Sequence, residues 1–290
     1  NAYNIAVGYD AGKNVTTGET MVLMGAFAGD ALTTGSSNVA IGYSALSAED
    51  TGQRSIAIGE GALQAQNNDA NNYNVAIGHH AGHLVTTGTL NTIIGGLAGD
   101  ALTTGDSNVA IGYAAMGAAD GSESRNVAIG YAALATMNND ASNYNTAVGY
   151  AAGFNITTGA DNTIVGGLAG DSLTTGGLNV AVGKAALSTE DTGSASVAVG
   201  HAALMNQNVS GSVYNTAVGH NAGTSVTTGT QNTLIGGLAG DNLAGGSQNV
   251  AVGAYALSTE DTHGKNVAVG YSALVVQNAG ADAYNTAIGH

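Results

Sequence analysis

Apolar and polar residues follow a fixed period along this chain. At intervals of 17 to 19 residues, a segment such as Asn108 to Gly112 places three apolar or β-branched residues between a polar residue, usually Asn, and a Gly. We call the Gly that ends each segment the anchor glycine. The anchors are Gly8, Gly25, Gly42, Gly59, Gly78, Gly95, Gly112, Gly130, Gly149, Gly166, Gly183, Gly200, Gly219, Gly236, Gly253, Gly270 and Gly289. They mark 16 complete coils of 17–19 residues.

The length of a coil restricts the architecture. A strand–helix–strand unit needs about 30 residues, whereas 17 residues can hold two short strands and two turns. Val, Ile and Thr occupy the positions before each anchor, as strands prefer, and segments such as Thr103 to Gly105 supply turns. A fixed period of this length is typical of solenoids. The sequence predicts an all-β, parallel β-solenoid, or β-roll, with no helix longer than one turn.

The coils group in fours, because the longest spacing always falls fourth. We therefore expect one β-solenoid region over 1–290, built from super-repeats of 70–71 residues at about 4–73, 74–144, 145–214 and 215–284, with 285–290 starting a fifth. Since the chain starts and stops inside its own repeat, we expect it to be an excerpt of a longer fibre.

The strand before each anchor is apolar on both faces. Its central position is Ala in 13 of 17 segments and is a larger residue in the second coil of each super-repeat, namely Leu23, Ile93, Ile164 and Leu234. A strand that is apolar on both faces is buried on both, and one short coil covers only one face. We therefore expect neighbouring chains, three around an axis, to cover the Ala face. Ala40, Ala110, Ala181 and Ala251 would then lie between chains.

Other repeated positions indicate packing. Four residues before the anchor stands Asn in 14 of 17 segments, and we predict a stacked ladder of hydrogen bonds. Its members include Asn38, Asn74, Asn108, Asn145, Asn179, Asn215 and Asn249. Four residues after the anchor, Gly recurs in first and second coils and a large residue in third and fourth coils, as in Gly12, Gly29, Leu46 and Leu63. We interpret this alternation as packing shape.

Tyrosines are the candidate surface contacts. One set keeps its register in every super-repeat and includes Tyr73, Tyr144, Tyr214 and Tyr284; the other follows anchors directly and includes Tyr43, Tyr113, Tyr131 and Tyr271. Tyr has a flat face and a polar tip, which suit sugars and protein surfaces; packing of the long loop against the roll is the alternative. We expect the long loops, 66–72, 136–143, 206–213 and 277–283, to project from one edge, since insertions in repeat proteins collect on one face.

Composition narrows the class of protein. With 46 Gly but no Pro and no three-residue period, the chain is not collagen, and 44% hydrophobic residues argue against disorder. The net charge is −15 and the five cations are scattered, so nucleic acid and anionic membrane surfaces are poor partners. No apolar run reaches the ~20 residues of a membrane span.

Candidate chemistry is sparse, and we predict neither an enzyme nor a cofactor. His79, His80 and His83 have the density of a metal site, but no other super-repeat reproduces them, so surface histidines are the favoured interpretation. Acids recur at Asp30, Asp100, Asp171 and Asp241 and in the pairs Glu49-Asp50, Glu190-Asp191 and Glu260-Asp261. Solvated acids are favoured, with calcium as the alternative. A depolymerase or an ice-binding surface is disfavoured.

The repeat resembles two groups of proteins. The segment Asn108 to Gly112 is similar to the head repeat of YadA-like trimeric autotransporter adhesins, and Asn145 to Gly159 resembles repeats of phage tail-fibre proteins. The resemblance covers the whole chain, although coils of 17–19 residues exceed the adhesin head repeat. The adhesin family implies a left-handed parallel β-roll in an intertwined homotrimer, and the two resemblances together imply a location outside the cell, on a cell surface or a virion.

We therefore expect a structural and adhesive segment of an elongated surface fibre, from a phage tail fibre or a trimeric bacterial adhesin. Its partners would be further copies of itself and a cell-surface glycan or protein receptor, without nucleic acid or membrane insertion. Two alternatives stay open: a subunit of an end-to-end extracellular filament, and a glycan-binding module that uses the tyrosines.

Overall fold

The protein is all-β, as the sequence predicts. The computed structural model describes residues 2–278 and 281–290, and within these ranges it contains strands, turns and bends but no helix. The chain divides into two compact units, of which the first ends at Tyr144 and the second begins at Asn145. Each unit is a parallel β-solenoid, so the prediction of an all-β, parallel β-solenoid is confirmed.

The first unit contains one three-residue strand per coil. Consecutive strands pair in parallel without a shift, so that Val22 lies between Ile5 and Val39. The strands are β1 Ile5–Val7, β2 Val22–Met24, β3 Val39–Ile41, β4 Ile56–Ile58, β5 Val75–Ile77, β6 Thr92–Ile94, β7 Val109–Ile111 and β8 Val127–Ile129.

The second unit repeats this arrangement and adds a small second sheet. Its main sheet contains β9 Thr146–Val148, β10 Thr163–Val165, β11 Val180–Val182, β13 Val197–Val199, β15 Thr216–Val218, β16 Thr233–Ile235, β17 Val250–Val252, β18 Val267–Val269 and β19 Thr286–Ile288. The short strands β12 Gly193–Ser194 and β14 Gly211–Ser212 pair with each other in parallel.

The rest of each coil is mostly turn, where two strands per coil were expected. Residues with side chains take up left-handed backbone conformations soon after the anchor, for example Ser44 at φ 51° and Leu46 at φ 53°. Such residues interrupt an extended path. The turns still stack by backbone hydrogen bonds between coils, such as Leu46 N–H to Ala62 O at 3.0 Å and Thr33 N–H to Asp50 O at 2.7 Å.

The central strand residue points into the coil, which corrects one expectation. Ala40, Ala110, Ala181 and Ala251 are at most 1% exposed within the single chain. The prediction that these alanines lie between chains is therefore wrong. The interior of a coil is narrow, and side chains such as Leu46 and Leu63 enter it from the turns, so the strand itself contributes only a methyl group.

The large core side chains enter from different positions in different coils. Where a second-coil strand contributes Leu23, the turns carry Gly12 and Gly29; a β-carbon added at Gly12 would lie 2.6 Å from Leu23 Cδ1. Likewise, one added at Gly82 would lie 2.9 Å from Ile93 Cδ1. The alternation of Gly and large residues after the anchor is thus a packing pattern that keeps the interior filled.

The first and third residues of each strand face outward. We call this set, two residues per strand of the main sheets, the outer sheet face. Third-position residues such as Ile77, Val165, Val218 and Ile235 remain 36–39% exposed. Each unit thus presents columns of Val and Ile, with Thr at some first positions, on the outside of its sheet. Large apolar side chains in a contiguous surface patch mark a contact surface.

Candidate functional site

The asparagine column is an internal ladder. Asn74 Oδ1 accepts from the backbone N–H of Asn91 at 2.9 Å, and Asn91 Nδ2 donates across the coil to Gly105 O at 2.8 Å. The same column includes Asn38, Asn108, Asn145, Asn179, Asn215 and Asn249, all at most 1% exposed. These amides join each coil to the next and satisfy turn carbonyls inside the solenoid, so they offer no surface to a ligand.

The tyrosines that precede the first strand of a super-repeat lie on the surface. We call them the loop tyrosines: Tyr73 and Tyr144 in the first unit, and Tyr214 and Tyr284 in the second. They are 50–68% exposed, and each has a left-handed backbone conformation with φ of 51–56°. The fold therefore holds each ring at the surface in a fixed register.

Cations lie on three of these rings. The Arg54 guanidinium carbon is 5.7 Å from the centre of the Tyr73 ring, Arg125 is 5.6 Å from Tyr144, and Lys265 Nζ is 5.0 Å from Tyr284. Ala195 stands at the equivalent position before Tyr214. Cation–π contact at an exposed site contributes about 0.5–1 kcal/mol. Three of the five cations of this acidic chain thus orient loop tyrosines. The sequence alone did not reveal this pairing, because the cations are scattered along it.

A second set of aromatic side chains lies just after the anchors. We call it the aromatic edge; it includes Tyr9, Phe27, Tyr43, Tyr113 and Tyr131 in the first unit and Tyr255 and Tyr271 in the second. The Tyr9, Phe27 and Tyr43 rings meet edge to face at 5.4 and 5.9 Å, and Tyr113 stacks on Tyr131 at 5.6 Å. Tyr43, Tyr113, Tyr131 and Tyr271 are 51–56% exposed. Since the loop tyrosines precede strands and these residues follow them, aromatic side chains flank the outer sheet face at both strand ends.

The glutamates of the third coils are buried, so the favoured interpretation of solvated acids is wrong for them. Glu49, Glu190 and Glu260 are 0% exposed. Glu190 accepts hydrogen bonds from Gly193 N–H at 2.7 Å and from Gln207 Nε2 at 2.8 Å. Gln207 in turn accepts from Asn215 Nδ2 at 2.8 Å. The carboxylate therefore connects a third-coil turn to the long loop and to the asparagine ladder.

The second super-repeat replaces this pair as a unit. Ala119 stands where the others have Glu, and Met137 stands where they have Gln66, Gln207 or Gln277; both are buried. Glu123, also fully buried, accepts instead from the backbone N–H groups of Gly121 and Asn139 at 3.0 and 2.8 Å. Joint replacement of Glu and Gln by Ala and Met was the signal in the sequence that these acids are internal.

The long loops are partly internal. Residues at or next to their ends, including Gln66, Asn72, Met137, Gln207 and Val213, are fully buried, whereas Asp69, Asn71 and Ser210 are exposed. The structure thus fixes the loop bases in the core and leaves their middles at the surface. In the fourth loop, 277–283, residues 279 and 280 lie outside the described residues.

Four acidic side chains have raised pKa values. Burial raises the pKa of the carboxyl groups of Glu49, Asp100, Asp171 and Asp241 above the ordinary range. Asp171 Oδ1 and Asp241 Oδ1 are buried and accept no hydrogen bond. Desolvation without a compensating partner disfavours the charged form.

These raised pKa values predict that the protein melts at a higher temperature in mild acid than at pH 7. A folded-state pKa above the unfolded value means that the folded protein binds more protons. The stabilisation is complete below the unfolded pKa of about 4 and is lost as pH rises through the folded pKa. Circular dichroism melts between pH 7 and about 4 measure it. Replacing both Asp171 and Asp241 by Asn should raise the melting temperature at pH 7 and flatten the profile; a variant that melts lower at pH 7 would contradict this explanation.

Among the described residues, two groups of three side chains bring possible metal-ligand atoms within 4.8 Å of one another: Glu60, His79 and His80, and Glu260, Asp261 and His263. In the second group His263 Nδ1 is 2.9 Å from the buried carboxylate of Glu260. The recurrent aspartates Asp30, Asp100, Asp171 and Asp241 belong to neither group, so the geometry gives no support to a calcium site at that column.

The described part of the chain includes no helix with the length and hydropathy needed to span a bilayer. Comparison with protein-family models, with curated proteins and with solved structures finds no match for this chain.

Proposed function

We propose that this chain is a structural and adhesive segment of a surface fibre, in which copies of the chain associate through the outer sheet face. The observation that carries the proposal is the apolar character of that face. Ile77, Val218 and Ile235 are 37–39% exposed, and the same columns continue through every strand of each main sheet. Removal of apolar area from water is favourable by about 25 cal/mol per Å² and drives association of such faces.

The repeat supports another copy of the chain as the partner. Successive strands of a parallel sheet lie about 4.8 Å apart, so the Val and Ile columns repeat at that interval. A partner that packs against several coils in succession needs the same axial period. A second copy of this chain has it by construction, and closed symmetry is the rule among soluble homo-oligomers.

The number and hand of the assembly follow from the resemblance. The resemblance to the adhesin family implies a left-handed roll in a homotrimer, and both resemblances imply a location outside the cell, on a cell surface or a virion. The outer sheet face, rather than the strand alanines, would then lie between the chains. A trimer buries an apolar face around an axis and leaves the exposed turns outside.

The aromatic side chains support the adhesive part of the proposal. The loop tyrosines and the tyrosines of the aromatic edge remain more than 40% exposed in each unit. Flat rings with polar tips, three of them beside a cation, suit a glycan or a protein receptor. A glycan-binding module is therefore the second candidate function, and it is compatible with the first.

Charges on the outer sheet face should break the assembly. We expect a variant with Ile77, Val165, Val218 and Ile235 all replaced by Lys to sediment as a monomer, since each Lys places an unpaired charge in an apolar contact. Lys tolerates a half-exposed position because its head reaches water, so the fold should persist by circular dichroism.

The matched control places the same four charges elsewhere. Thr34, Thr87, Thr104 and Thr175 lie exposed in turns away from the strands, and their replacement by Lys should leave the assembly intact. If the two variants sediment alike, or if the sheet-face variant keeps the native mass, the outer sheet face is not the contact between chains.

A further inference from the structure

The first unit contains one cluster of metal-binding side chains that the repeat does not explain. Glu60 follows one anchor directly, and His79 and His80 follow the next anchor along the chain. One ligand atom from each lies within 4.8 Å of the other two. A zinc ion binds such atoms at about 2.0–2.2 Å in tetrahedral geometry, which places two of its ligand atoms about 3.4 Å apart. Small rotations of these surface side chains would close the difference.

The imidazole rings of His79, His80 and His83 lie against one another. The His79 and His80 rings stack at 4.1 Å with 14° between their planes, and the His80 and His83 rings stack at 4.4 Å with 9°. His83 Nε2 lies 2.8 Å from Gln64 Oε1. In the Nε2–H tautomer His83 donates to this amide oxygen, and the contact fixes the orientation of its ring. An ordered neighbour of this kind supports a ligand histidine from outside the metal's own shell.

Five positions around the cluster belong to columns that vary between super-repeats, and the cluster has its own residue at each of them. The positions of Glu60, Gly61 and Gln64 are occupied in the next super-repeat by Tyr131, Ala132 and Ala135. The positions of His80 and His83 are likewise occupied by Ala151 and Phe154 one super-repeat later.

Gly61 shows that these residues fit one another. A β-carbon added at Gly61 would lie 2.6 Å from His80 Cδ2. The backbone itself does not require Gly there, because Ala132 and Ala202 occupy equivalent positions at φ 51° and 53°. Gly61 therefore makes room for the His80 ring beside Glu60, which a set of unrelated surface residues would not need.

We propose that Glu60, His79 and His80 bind a divalent transition-metal ion of the zinc type, with water completing the coordination and His83 supporting His80. Two imidazoles and one carboxylate suit zinc and its neighbours, whereas calcium and magnesium prefer oxygen ligands alone. The ion would link two successive coils of the first unit, one through Glu60 and the next through the histidines. This inference is independent of the proposed assembly.

The test is isothermal titration calorimetry of the full chain with zinc chloride, together with melting curves with and without zinc. We expect one zinc ion per chain and a higher melting temperature with zinc. The variant H79Y/H80A copies Tyr150 and Ala151 from the next super-repeat and should therefore fold. It should lose at least about 100-fold in affinity, since loss of an outer partner alone costs up to about 100-fold. E60Y, which copies Tyr131, should also weaken binding.

The chain supplies a matched control. His201 and His220 also stack, at 5.2 Å, but His201 itself stands at the position equivalent to Glu60, so this pair has no carboxylate there. H201Y/H220Y removes the same number of imidazoles and should leave affinity and stoichiometry unchanged. Absence of zinc binding in the native chain, full binding in H79Y/H80A, or equal loss in H201Y/H220Y would each overturn the proposal.

Discussion

We expect Gly166→Ala to destabilise the protein by about 3 kcal/mol or more, because the anchor backbone admits no side chain. Gly166 has φ +136°, and an added β-carbon would lie 2.5 Å from the carbonyl oxygen of Gly183 in the next coil. Within each unit successive anchors stack on one another in this way, so the neighbouring backbone cannot shift without disturbing its own pairing. Denaturant unfolding followed by circular dichroism measures the effect.

The adjacent glycine provides the control. An added β-carbon at Gly167 meets no atom within 4 Å, and its φ lies outside the left-handed region. Gly167→Ala should therefore change the free energy of unfolding by less than about 1 kcal/mol, with a small gain from the stiffer unfolded chain. Equal effects of the two substitutions would mean that the anchor glycines are not required by coil stacking.

We expect the buried Glu190 and Gln207 to behave as one unit in a double-mutant cycle. Glu190→Ala removes the acceptor of Gly193 N–H and Gln207 Nε2, and a buried donor left unpaired costs about 1–3 kcal/mol. The single substitution should therefore destabilise by about 3 kcal/mol.

Adding Gln207→Met reproduces the pair Ala119 and Met137 of the second super-repeat. It removes an unpaired amide and fills the space with an apolar side chain, so the double variant should be more stable than the sum of the two single effects predicts, by about 1 kcal/mol or more. The free energy of unfolding of the native chain, both single variants and the double variant gives this coupling. Strict additivity would show that the Glu and Gln positions vary independently.

The sequence predicts the class of fold because every coil repeats the same pattern. The strand positions are correct to the residue at segments such as Asn108 to Gly112, where β7 covers the three residues between the Asn and the Gly. The sequence also predicted that the Asn column forms a ladder of hydrogen bonds and that the alternation of Gly and Leu reflects packing. Both predictions match the geometry of the interior.

The direction of the two strand faces could not be read from the sequence. Alternation shows that Val39 and Ile41 share a face opposite Ala40, but it does not say which face is inside. The usual preference for larger apolar residues in the core gives the wrong answer here, since Leu46 fills the narrow coil from the turn. The missing second strands have a similar cause, because nothing in the sequence marks Ser44 or Leu46 for a left-handed backbone.

Buried acids were missed because Glu is almost never fully buried without a partner. The partner was present in the sequence as a Gln 17 residues later, as in Glu49 and Gln66. Comparing the super-repeats with one another would have found it, since Ala and Met replace Glu and Gln together. The cation–π contacts of the loop tyrosines were also not predicted. Arg54 and Tyr73, for example, are distant in sequence and become adjacent only when the coils stack.

The mass of the native chain in solution tests association through the outer sheet face most directly. Sedimentation equilibrium over a range of concentrations measures that mass without assumptions about shape. If the chains associate through this face as a trimer, a stable species with the mass of three chains will be found. A chain that stays monomeric at every concentration, with Ile77 and Val218 open to water, would contradict it.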